Sequence, residues 1–109
     1  MPYIELSNTR EVAGDVIAWF IREYIPDSLF FLTVEEKDLS EEGDTLGWCI
    51  RETQNEFTIQ IHSGLSDNYI SVLLHELSHM MRYYHGQEQV EEVVLKEELK
   101  LLNKYYENH

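Results

Sequence analysis

A change of hydrophobic period near residue 65 constrains the fold of this chain more than any other feature. From Leu46 to Ile61 apolar residues alternate. Leu46, Trp48 and Ile50 fall on one face of a strand, Phe57, Ile59 and Ile61 on one face of a second, and Thr53 to Asn55 turns between them. This predicts an antiparallel hairpin with one face on a core and with Cys49 pointing away from it. From Asp67 to Tyr84 the period becomes helical, and Ile70, Leu73, Leu74, Leu77, Met80, Met81 and Tyr84 form one wide apolar stripe. Ser66 or Asp67 is the expected N-cap of that helix, and Gly86 the left-handed residue that closes it.

The rest of the chain completes an α+β pattern. Thr9 to Tyr24 has apolar residues at helical spacing, with cap candidates at Ser7, Asn8 and Thr9 and a stop at Pro26. Leu29 to Val34 reads as a short buried strand, Glu35 to Asp44 as a solvated loop, and Gln89 to Tyr106 as a last amphipathic helix. The expectation is one domain over residues 1–109, with an N-terminal helix, a sheet of about three strands and two C-terminal helices.

Charge narrows the partners. Eight Lys and Arg against 21 Asp and Glu give a formal net charge of −13. Such a chain repels phosphate backbones, so no nucleic acid is expected as a direct partner; the spread of the acids over loops and helices reads first as solubility, with attraction to a basic peptide or protein as the alternative. No apolar run approaches the ~20 residues of a membrane span, and the first residues carry no secretory pattern, which points to a cytoplasmic protein. The single cysteine, Cys49, makes no internal disulfide and no thiolate metal site. Any metal must therefore rest on His, Asp or Glu.

The helix from Asp67 carries His75-Glu76-Leu77-Ser78-His79. Histidines at i and i+4 lie one turn apart on one face, so both imidazoles reach a single tetrahedral zinc. Glu76, a quarter-turn away, is placed to take a proton from a water at the open coordination position, as a general base. Zinc brings the pKa of such a water towards ~7, which generates a hydroxide able to attack a carbonyl.

A catalytic zinc needs a third protein ligand. His85 has the spacing of the metzincin third histidine, but the glycine that family places three residues after its second histidine is Arg82 here. If the helix runs on to Tyr84, His85 lies ~9 Å along the axis from His79 and about 120° round it. The other source is a carboxylate of the last helix. At about 100° per residue, the apolar set Val90, Val93, Val94, Leu95, Leu99, Leu101 and Leu102 centres about 40° from Glu91 and about 140° from Glu92. Glu91 is the expected ligand, Glu92 and His85 the alternatives. Glu98, one heptad after Glu91, faces the same way and either supports a histidine from behind or pairs with a neighbouring base.

The run from Phe57 to Leu102 resembles the short zincin-like metallopeptidases of bacteria and their phages. Those proteins pair a strand leading into an L-L-H-E-x-x-H helix with an acidic segment opening the next helix, here Glu91-Glu92-Val93-Val94. The resemblance implies a minimal zincin-like fold and one zinc held by His75, His79 and Glu91 or Glu92. It also implies Glu76 as general base in peptide-bond hydrolysis. In zincins the strand before the active-site helix rims the cleft and can take an extended peptide as an added strand, which would be Glu56 to His62 here. Tyr83, Tyr84, Tyr105, Tyr106 and His109 are oxyanion-stabilising candidates by type alone. A homodimer could supply a wall that so small a cleft lacks. The rival reading is a non-enzymatic acidic interaction protein with a structural metal. His75, His79 and His85 also share the spacing of a family of small zinc-dependent endoribonucleases, whose motif has glycine at the positions of Glu76 and Arg82.

Overall fold

The computed structural model describes residues 2–65 and 67–109; the N-cap expected at Ser66 lies outside them. The elements are β1 (Tyr3–Ser7), α1 (Glu11–Tyr24), β2 (Phe31–Lys37), a 3-10 turn (Ser40–Glu42), β3 (Gly47–Thr53), β4 (Glu56–His62), α2 (Tyr69–Tyr84) and α3 (Glu91–Glu107). The class is α+β, with a four-stranded mixed sheet in the order β1-β2-β4-β3. The three strands expected become four because the first residues add β1, parallel to β2, with α1 as the crossover.

β2 and β4 are parallel neighbours, and β3 closes the sheet antiparallel to β4. Leu32, Val34, Phe57, Ile59 and Ile61 point to one side and join Ala13, Val16, Phe20, Leu73, Leu74, Leu77 and Leu101 in a single core. The helices pack on this side, because an amphipathic helix and a sheet face must bury their apolar surfaces against each other.

Several local expectations shift. The N-cap of α1 is Arg10, without a side-chain cap; Ser7 ends β1 and Asn8 takes a positive φ of 54° between the two. Arg10 earns its position by tertiary contacts instead. It pairs with Glu36 at 2.9 Å, donates to the Leu65 carbonyl and lies 4.3 Å over the Tyr69 ring, tying α1 to β2 and to the start of α2. β2 begins later than Leu29 and runs through Glu35 to Lys37, and the loop after it is pinned by buried Leu39. Asn68, not Asp67, caps α2.

The hairpin is present, but β3 is turned over. Cys49 pairs with Ile59 and packs against the core, while Trp48 and Ile50 stand opposite Gln60 and Thr58 on the outer face. Directly opposed residues share a face, so the register with β4 decides the matter. Gly47 lets β3 come close to α2: a Cβ there would lie 3.0 Å from Val72 Cγ1 and 3.1 Å from the Gln60 carbonyl oxygen.

α2 ends as the sequence predicts. Gly86 has φ 68°, its N–H donates to Tyr83 O, and the Gln87 N–H donates to Arg82 O, the paired bonds of a Schellman closure. The chain then reverses through 87–90 and α3 packs back along α2. Only Val94, Leu101 and Tyr105 of α3 are buried, whereas Leu95 and Leu99 are exposed, so the apolar set expected to face inward is split between core and solvent. Among the described residues no helix is long and apolar enough to cross a membrane.

Candidate metal centre

α2 presents His75 and His79 on the side that meets the start of α3, with ring centroids 5.0 Å apart. Glu91, the first residue of α3, reaches between them. Its Oε1 is 2.6 Å from His75 Nε2 and its Oε2 is 3.2 Å from His79 Nε2. The first turn of a helix favours a carboxylate electrostatically. The side chain of Glu91 is 62% exposed, so the burial expected of it is corrected. It faces the histidines because α3 crosses α2 at that point, with solvent on its other side.

Both imidazoles are held from behind. His75 Nδ1 lies 2.8 Å from Glu98 Oε1, and the other oxygen of that carboxylate accepts from Ser71 Oγ at 2.6 Å. His79 Nδ1 lies 2.6 Å from Gln89 Oε1. With Nδ1–H donating to these acceptors, each ring turns its Nε2 lone pair towards Glu91. Glu98 stands where the sequence places it, behind a histidine. Gln89 was not foreseen, since nothing local marks a loop glutamine as the partner of a histidine ten residues earlier.

Among the described residues, His75, His79 and Glu91 form a group whose ligand atoms lie within 4.8 Å of one another. Two imidazole Nε2 atoms and a carboxylate suit a small divalent ion such as zinc. The charges agree. Glu76, Glu91 and Glu98 gather around the two imidazoles, a concentration of negative charge that favours a cation between them. The residues present therefore fit a metal.

The alternatives do not join this group. The Glu92 side chain is 82% exposed and lies 4.0 Å from Lys96 Nζ. His85 is exposed beyond the end of α2, against the Tyr84 ring. Arg82 occupies the place where a glycine would have let the chain bend earlier, and it braces the reversal by donating from Nε to Glu88 O at 2.6 Å and from Nη1 to Glu97 at 3.1 Å.

Glu76 is 5% exposed. Burial pushes its carboxyl up to about 7; the His75 and His79 charges oppose this and the Glu91 and Glu98 carboxylates add to it. Beside it a cavity of about 240 Å³ is lined by Trp48, Cys49, Tyr83 and Gln89 together with the two histidines and Glu91. A second, of about 250 Å³, lies on the other side of His75 and Glu76, bounded by Leu46, Val72 and Leu95. Gly47 borders both. Of the five oxyanion candidates, Tyr83 alone lines either cavity. The Tyr84 hydroxyl accepts from Leu29 N at 3.2 Å, and Tyr105 is packed between Trp19 and His109.

The rim also differs from expectation. β4, Glu56–His62, is an interior strand paired on both edges, so it has no edge on which to take an added strand. The free edge beside the cavities belongs to β3. Comparison with protein-family models, with curated proteins and with solved structures returned no match.

Proposed function

We propose that this chain is a minimal zincin-like hydrolase that cleaves peptide bonds at one zinc ion held by His75, His79 and Glu91. The observation that supports it most directly is the convergence of both Nε2 atoms on one Glu91 carboxylate beside a buried Glu76. Zinc, when bound there, supplies Lewis acidity that polarises a carbonyl and acidifies a water.

The chain's own residues supply the rest. The Glu76 carboxylate accepts a proton from the attacking water and delivers it to the departing amine. Its burial favours that role, since a carboxyl raised toward neutrality both takes and returns a proton near pH 7. Glu98 and Gln89 keep the imidazoles aimed. The free edge of β3 offers backbone groups to an extended peptide lying across the cavities.

Elemental analysis of untagged protein, for wild type, Glu91→Gln, Glu92→Gln and His85→Ala, tests the ligand set. One zinc per chain, lost in Glu91→Gln and kept in the other two, is the expected result. No zinc uptake by wild type overturns it. Equal peptide turnover by wild type and Glu76→Gln overturns the hydrolytic assignment even if zinc is bound.

A further inference from the structure

The outer face of the sheet has no helix over it among the described residues, although three of its four strands run parallel. Sheets built on parallel strands are usually covered on both faces. Pairing fixes what this face presents: a row of Tyr3, Phe31, Glu56 and Thr53, then Glu5, Thr33, Thr58 and Ile50, then Ser7, Glu35, Gln60 and Trp48.

Apolar side chains stand at two opposite corners. Tyr3 and Phe31 are 59% and 57% exposed with ring centroids 5.7 Å apart, and Ile50 stands next to Trp48 at the other. Between them the polar residues are already organised. Trp48 Nε1 donates to Gln60 Oε1, and Gln60 Nε2 donates to Glu35 Oε1 at 2.6 Å. Glu52 reaches the same face, where its carboxylate accepts from Thr58 Oγ1 at 3.1 Å. Among the described residues, the pairing sets Glu5, Glu35, Glu52 and Glu56 on this face against Lys37, with His62 beside it.

From this we propose that the outer sheet face docks a basic protein segment in which Arg or Lys alternates with apolar residues. The cations meet the glutamates and the exposed aromatic faces, and the apolar residues cover the corners. A second copy of this chain is the wrong occupant, because it would set glutamates against glutamates. Apart from Trp48, which also borders the cavity beside Glu76, the surface lies on the side of the sheet away from α2, and the inference does not rest on the hydrolytic reading.

The probe is a fluorescent peptide of alternating arginine and leucine, with its glutamate–leucine counterpart as control, titrated with the full chain. Binding of the basic peptide should weaken about tenfold in Tyr3→Ser/Phe31→Thr and in Glu35→Gln/Glu56→Gln. It should be retained in Glu41→Gln/Glu42→Gln, which removes the same charge from the 3-10 turn. Circular dichroism confirms that each variant is folded. Equal weakening by both glutamate pairs would mean attraction to bulk charge and would overturn the proposal, as would a dimer in sedimentation that Phe31→Thr abolishes.

Discussion

Where α2 and α3 run past Tyr24 there is a cavity of about 540 Å³, against about 240 and 250 Å³ for the two that flank His75 and Glu76. The larger is walled by Tyr24, Met81 and Leu101 and rimmed by Glu97, Lys100, Lys104 and Glu107. Three of its four rim charges are paired locally: Glu97 is held by Arg82, and Lys104 lies 3.6 Å from Glu107. Around His75 and Glu76 the space is half as large, yet imidazoles and carboxylates from two helices converge there, with a loop glutamine behind one ring. Volume measures how imperfectly two helices fit. Convergence of ligating and titratable groups marks where chemistry is feasible.

The comparison can be broken from either end. Glu76→Gln should retain zinc and the fold but lower peptide turnover by a factor on the order of 10² to 10⁴, the range of a general base; steady-state kinetics on a peptide library checks this. In the larger cavity, Leu101→Ala should cost about 2–5 kcal/mol of stability, read by urea unfolding, with zinc content unchanged. A metal-poor Leu101→Ala that is still folded would show that the two regions are coupled.

Smaller effects sharpen it. Gln89→Ala should weaken zinc affinity about tenfold in a chelator competition, and Gln89→Glu should restore most of it, because the Nδ1–H needs an acceptor rather than an amide. Cys49 gives the smallest signal. Burial pushes its thiol well above the ordinary range, and the Glu76 charge adds to the rise. For an acid whose folded value is raised, the neutral form stabilises the fold fully below about pH 8.5. That contribution is lost as pH climbs toward the folded value. At pH 8 the native thiol should therefore react with a disulfide reagent at least about tenfold more slowly than in urea. Equal rates would remove Cys49 from the wall of the site cavity.

How much of this was legible without coordinates differs between segments. The apolar stripe Ile70 to Tyr84 and Gly86 bound α2 to within two residues, and the i, i+4 histidines share a face by helical geometry alone. β1 carries too little pattern in five residues to be read, since an edge strand is defined by its pairing with β2. The alternation of Leu46, Trp48 and Ile50 predicts the opposite face for β3. Pairing with β4 puts Cys49 beside Ile59 instead. The apolar set of α3 misled in a related way, since averaging its directions merged a buried and an exposed stripe.

Local periodicity, helix closure and the His75-Glu76-x-x-His79 spacing follow from interactions within a few residues, so the amino-acid sequence by itself determined them. The meeting of Glu91 with both histidines, the support of His79 by Gln89 and the choice of face for β3 depend on packing between elements distant in the chain. Only the tertiary structure decided these, because residues set by separate local rules meet only once the chain has reversed at Gly86 and the sheet has closed on β4.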